Sequence, residues 1–387
     1  MYFISKLKVA FALGLVIAVG ACSTQSKRGG NLPSKEEVID ILSKVNDKWQ
    51  AENDVLKQRP FWHSAAYHIG NLAAYEITRK KNYLDYTTTW AENNQWAGAK
   101  STRPEEWKFS YGETDEYVLF GDWQACFQVY IDLYQMNPVE HKVARAKEVM
   151  GYQVSTDESK YWWWIDGLFM VMPVMPRMYA LTQDEIYLEK LHEYYSYTIS
   201  EVYDEETGLL FRDAKYTYPK HTTNAGKKDF WSRGNGWVFA ALARTIDKLP
   251  ASDAHYAGYV AVFTKMAETL KASQQSEGYW TRSILDPEQA PGPETSGTAF
   301  FTYGMLWGIN KGILDKETYA SIVEAGWKYL AETAVQEDGT LGYIQPIGEK
   351  AIPGQIIDIH STADFGVGAF LLAATEMVKF IDKQDNK

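Results

Sequence analysis

The chain has 387 residues, 45% of them apolar and 14% aromatic, enough for one large core and without the bias of disordered or fibrous chains. Its formal net charge of -11 argues against a general nucleic-acid binder, which needs clustered Lys and Arg to match a phosphate backbone. Cations for any anionic ligand must therefore be placed locally.

In chain order, Lys6 and Lys8 first precede an apolar run from Val9 to Ala21. That run is short for a transmembrane helix and reads as a secretory signal over residues 1–22. It ends in Val19, Gly20, Ala21 and Cys22, which resembles the bacterial lipobox, whose Cys becomes the lipidated first residue of the mature protein. A plain signal peptide with an incidental Cys is the alternative. Residues 23–33 read as a polar tether, so the chain is expected to be exported and lipid-anchored, in the periplasm or at the outer membrane. Cys126 is the one remaining cysteine, which excludes an intrachain disulfide in the domain that follows.

From residue 34 to 383 the pattern is apolar residues at helical spacing, punctuated by Gly, Pro and Asp, and is expected to form a single all-α domain. Six segments are unusually apolar and rich in small residues: 60–79, 117–136, 162–181, 230–247, 295–311 and 361–379. Amphipathic stretches lie between them, at 34–52, 138–150, 183–202, 251–274 and 316–335. Such alternation of buried and half-exposed helices predicts an (α/α)6 barrel, with an irregular helical solenoid as the alternative. Three turns, GLLFRD (208–213), EGYWTRS (277–283) and DGTLGYI (338–344), each precede an inner segment and mark a weak internal repeat.

Four places carry candidate chemistry. Asp122 opens the apolar segment 117–136, where an Asp caps a helix or orients a substrate. Asp166 lies in YWWWIDGLFMVMP (161–173) among Trp162, Trp163, Trp164, Phe169 and Met170. A carboxyl among such neighbours keeps its proton at higher pH, as a general acid must, although Asp is also a common helix cap. His221, in YPKHTTN (218–224), is a donor to a substrate or an ordinary loop His. FWSRGNGW (230–237) sets Arg233 and Asn235 between the flat faces of Trp231 and Trp237, a combination suited to an acidic sugar. The bland reading is a glycine-bearing turn with core tryptophans.

No GxSxG elbow, P-loop, GxGxxG or HExxH is present, and His63 and His68 are poorly spaced for one helix face. We therefore expect no metal and no cofactor.

WIDGLFM (164–170) and WSRGNGW (231–237) resemble signatures of the unsaturated rhamnogalacturonyl hydrolases, glycoside hydrolase family 105, and more distantly the unsaturated glucuronyl hydrolases of family 88. The likeness extends to ETSGTAFFTYGMLWGINKGILD (294–315) and GVGAFLLAATEM (366–377). It implies an (α/α)6 barrel with its site at one end. The implied substrate is a lyase-generated oligosaccharide bearing a 4,5-unsaturated uronic acid at its nonreducing end, most often followed by rhamnose. By the same resemblance Asp166 is the general acid/base that hydrates the double bond. Asp122 falls at a second active-site acid, and Arg233, Trp231, Trp237, Asn235, His221 and Trp164 bind substrate, with Arg233 on the uronate carboxylate. A conventional two-carboxylate glycosidase on this fold and a non-catalytic sugar-binding lipoprotein are the alternatives.

Overall fold

The computed structural model describes residues 32–385, so the signal-like segment, its Cys22 and most of the tether lie outside the described residues. From Pro33 onward the chain packs as one compact unit. Fourteen α-helices are present among the described residues: α1 Lys35–Glu52, α2 Trp62–Thr78, α3 Lys81–Asn93, α4 Gly121–Gln124, α5 Cys126–Met136, α6 His141–Val154, α7 Asp166–Val171, α8 Val174–Thr182, α9 Ile186–Val202, α10 Ser232–Lys248, α11 Tyr256–Ser273, α12 Thr295–Lys311, α13 Lys316–Tyr329 and α14 Asp364–Asp385. No β-strand occurs among the described residues, only isolated bridges between extended segments.

The inner ring consists of α2, α4 with α5, α7 with α8, α10, α12 and α14, and each covers an apolar segment expected from sequence. The outer ring is α1, α3, α6, α9, α11 and α13. Of these α3 is an outer helix that the five expected amphipathic stretches omit. It buries Tyr83, Thr87, Trp90 and Ala91, one face at helical spacing. The chain is an all-helical (α/α)6 barrel.

Inner helix three divides at Pro173, which has no N–H to offer the carbonyl of Phe169. Gln128 from α5 fills that role, its amide donating to the Phe169 carbonyl at 2.7 Å and the Met170 carbonyl at 3.2 Å. The break therefore leaves no orphan acceptor there, and α7 is held as a rigid step carrying Asp166.

The repeated turns have a shared task. The N–H at or just before the start of one inner helix donates to a carbonyl in the extended turn that leads to the next: Ile165 to Arg212 at 3.1 Å, Ser232 to Arg282 at 2.8 Å, and Thr295 to Tyr343 at 2.9 Å. Neighbouring hairpins are thereby fixed in register at the end of the barrel where the inner helices begin.

Ring closure depends on α2 meeting α14 backbone to backbone. A Cβ on Gly70 would lie 2.3 Å from the Gly368 carbonyl oxygen, and one on Gly368 would lie 2.2 Å from that of Ala66. Neither backbone can retreat, because each helix is packed on both faces. We expect Gly70→Ala or Gly368→Ala to cost about 3 kcal/mol or more, measured as a lower midpoint in urea. A loss below about 1 kcal/mol would show that the closure tolerates separation.

Candidate active site

A pocket of about 170 Å³ opens at the end of the barrel where the inner helices start. Its wall takes Phe61, Trp62 and His63 from the start of α2, Asp122 from α4, Trp163, Trp164 and Asp166 around α7, and Trp231, Arg233 and Trp237 around α10. Tyr111 and Glu113 on one side and Arg212, Ile347 and Gly348 on the other complete it. Six of the eight residues picked from sequence as catalytic or substrate-binding thus meet in one cavity: Asp122, Asp166, Trp164, Trp231, Arg233 and Trp237.

Asp166 is the first residue of α7, yet α7 has no side-chain cap, and α4 likewise gains none from Asp122. The helix-cap alternative fails for both acids. Asp166 instead lies with Oδ2 buried and without a hydrogen-bond partner, 3.5 Å from Nε of Arg212, which is itself buried and unpartnered by a hydrogen bond. Burial raises the pKa of Asp166, while Arg212 and then Arg233 pull it back down. Asp122 is pushed further, well above the usual carboxylate range, first by burial and then by the like charge of Asp166.

Two expected binding residues lie outside this wall. Asn235 is fully buried and bonds the turn, its side-chain oxygen accepting from the Leu210 N–H at 2.9 Å and its amide donating to the Leu210 carbonyl at 3.0 Å. His221 has its Nε2 3.0 Å from Asp229, a carboxylate that also accepts from Ser283. Both hold the scaffold behind the pocket. Arg233 also departs from expectation. The two-pronged fork foreseen for a carboxylate clasps main-chain carbonyls, Gln345 at 2.5 Å and Pro346 at 2.9 Å, between the rings of Trp231 and Phe365.

Gln345 joins this region together. Its side-chain oxygen accepts from the Trp231 indole at 2.8 Å, and its N–H donates to Glu294, the buried carboxylate that caps α12. The loop carrying Ile347 and Gly348 is thus fastened to the starts of α10 and α12.

Arg212 is the cation that sequence reasoning missed. Its guanidinium bonds Asp213 at 2.5 Å and stands 3.4 Å from Glu349 and 5.7 Å from the Trp163 ring centre. The signal for it was present: Arg212 is the fifth residue of the repeated GLLFRD turn, and its carbonyl is bonded to the residue before Asp166. His63 and Trp62 were also missed as wall residues, and Trp163 was read only as part of the apolar surroundings of Asp166.

A buried and a half-buried carboxyl, a cation and indole faces in a single-ring cavity at one end of an (α/α)6 barrel define a carbohydrate-cleaving enzyme. Comparison with known proteins agrees: the sequence model of Glycosyl Hydrolase Family 88 matches residues 34–381, and the chain belongs to that family. A protein from Formosa agariphila named unsaturated 3S-rhamnoglycuronyl hydrolase is 31% identical over 344 residues, covering 86% of this chain and 88% of its own length. A solved family 88 glycosyl hydrolase from Bacteroides vulgatus is 56% identical, with a TM-score of 0.88 over 90% of this chain and 100% of its own. A structure described as a polysaccharide lyase is 57% identical, with a TM-score of 0.88 over 90% of this chain and 99% of its own. A family 105 enzyme from C. acetobutylicum, 21% identical at a TM-score of 0.69, shares the fold.

The raised pKa of Asp122 has a definite consequence for stability. Its folded state favours the protonated form, so its contribution is complete below the unfolded carboxyl pKa of about 4 and is lost as pH rises through the higher folded value. Asp122→Asn, neutral at every pH, should therefore be more stable than wild type at pH 8, with the gap closing towards pH 4. Thermal midpoints across that range test it; a gap independent of pH would show that Asp122 does not titrate in the fold.

Proposed function

We propose that this chain removes a 4,5-unsaturated uronic acid from the nonreducing end of lyase-generated oligosaccharides, with Asp166 as general acid and base. The observation that carries the reading is the environment of Asp166: a half-buried carboxyl, raised in pKa, with Oδ2 enclosed and without a hydrogen-bond partner and a guanidinium beside it. The name of the 31% identical relative supports the substrate class, a rhamnose-linked unsaturated uronate.

In the neutral state Asp166 donates its proton to carbon 4 of the enol ether, and positive charge develops at carbon 5 and the ring oxygen. Water attacks carbon 5 while the new Asp166 carboxylate takes the proton that water loses. The resulting hemiketal opens to a ketone, and carbon 1, now a hemiacetal, releases the next sugar as an alcohol. One carboxyl acting in both directions suffices, so the two-carboxylate spacing of ordinary glycosidases is not required.

Arg212 serves this cycle twice. While Asp166 is neutral, the guanidinium attracts the uronate carboxylate; once the proton has left, it steadies the Asp166 carboxylate. Arg233, with two of its nitrogens on carbonyls, acts mainly by fixing the wall. Asp122, the more strongly raised acid, remains protonated and donates a hydrogen bond to a substrate hydroxyl.

We further infer export and lipid anchoring at Cys22 from the residues that precede it. Cys22→Ala should abolish fatty-acid labelling and release the protein from the membrane fraction; continued labelling would dismiss the anchor.

The reaction is tested by following the ultraviolet absorbance of the conjugated double bond in unsaturated rhamnose-linked disaccharide. Wild type should erase the signal, and Asp166→Asn should slow it by at least about 100-fold. Sugar release with the double bond intact would instead indicate ordinary glycoside hydrolysis. Growth of the absorbance on saturated polymer would indicate lyase chemistry, as in the name of the 57% identical structure.

A further inference from the structure

His63 stands in the pocket wall, and nothing in the reaction above uses it. It is the second residue of α2, the first inner helix, and its Nδ1 lies 2.5 Å from Oδ2 of Asp364, the first residue of α14, the last inner helix. Asp364 is held in place from its other side, Oδ1 accepting from the Phe365 N–H at 2.8 Å, and Ser64 Oγ lies 3.5 Å from Oδ2. A carboxylate receiving these donors has only acceptors to offer, so the imidazole nitrogen facing it carries a proton. Neutral His63 then has its lone pair on Nε2, for which the protein supplies no hydrogen-bond partner among the described residues. The ring is fixed edgewise against Phe61 and Trp62, at centroid distances of 6.1 Å and 5.5 Å.

A pocket of about 170 Å³ is on the scale of one sugar ring, so a group in its wall faces that ring directly. An unsaturated uronate has lost its oxygen at carbon 4 and retains two free hydroxyls, on carbons 2 and 3. We infer that His63, oriented by Asp364, accepts a hydrogen bond from one of these hydroxyls and so selects uronates in which that hydroxyl is unsubstituted. The inference rests on the proposed unsaturated-uronate chemistry. A lone pair aimed at a methyl, acetyl or sulfate group would leave a buried acceptor unpaired, and selectivity of this kind exceeds what shape alone supplies. The same pair also clasps the first inner helix to the last, and a purely structural clasp would be indifferent to the substrate's substitution.

Turnover of an unsaturated disaccharide is measured beside its 2-O-methyl and 3-O-methyl uronate forms, with wild type, His63→Gln, His63→Phe and Asp364→Asn, together with thermal midpoints. Wild type should turn over the plain sugar and lose about 10-fold to 100-fold in kcat/KM on one methylated form. His63→Phe should lose a similar factor on the plain sugar and no longer distinguish the two. His63→Gln, whose amide oxygen also accepts, should recover most of the rate. Asp364→Asn, which can donate to Nδ1 and move the proton to Nε2, should resemble the Phe variant. Equal wild-type rates on all three sugars would overturn the inference even if His63→Phe fails to fold. So would a His63→Phe protein that keeps wild-type kcat/KM, or Gln and Phe variants that fall equally along with their thermal midpoints. A wild type inactive on the plain sugar while folded would refute the proposed function itself.

Discussion

All six inner helices begin at the same end of the barrel, and that shared direction governs the rest of the structure. Each helix start adds partial positive charge, which the protein meets in part with its own acceptors, Glu294 at α12 and Asp364 at α14, so the end where they converge favours negative charge without a cluster of surface lysines. The opposite end must be compensated. Around the cavity of about 670 Å³ there, near the ends of α2, α5, α10, α12 and α14, stand seven basic side chains, among them Arg177, Arg244 and Lys379, against four acidic ones. An excess of three cations matches the roughly three negative charges expected of six helix C-termini. The far cavity is thus explained as charge balance.

That pocket is built from pairs of neighbouring hairpins. The bond from the Ile165 N–H to the Arg212 carbonyl places the Arg212 side chain beside Asp166, which follows Ile165 directly. The equivalent bond from Ser232 to Arg282 fixes the start of α10, and Gln345 ties the next turn to Trp231 and Arg233. Precision at the acid therefore arises from backbone bonds at the barrel rim, where a side chain needs only its own rotamer to reach the substrate.

The inner helices were legible because they are buried on both faces and so carry an apolar, small-residue signature. Asp166 and Asp122 were legible as lone acids in apolar surroundings, and the tryptophans through their motif. Arg212 and His63 were not, since each gains its meaning from a partner far along the chain: Arg212 from Asp166, and His63 from Asp364, 301 residues away. Spacing along one helix, the criterion applied to His63 and His68, is blind to a pairing between the first and last inner helices. Arg233 misled for the opposite reason. The residue type was right for a carboxylate, but its fork is taken by two carbonyls of a loop whose path no local pattern announces.

The two acids share one pocket, and their difference decides the chemistry available. Both are pushed up by burial, which alone would make them equivalent. Arg212 faces Asp166 and relieves it, whereas Asp122 feels the charge of Asp166 as its next largest influence. When like charges cannot both form, the acid nearer the cation ionises first and the other keeps its proton. Under the proposed hydration the cycling group must give a proton and take one back at the same pH, which needs a moderately raised acid; a strongly raised one is a donor that does not let go. Under that proposal the guanidinium beside Asp166 suits this acid to proton transfer and leaves Asp122 to hold the substrate. The asymmetry comes from the turn before α10, outside both helices that carry the acids.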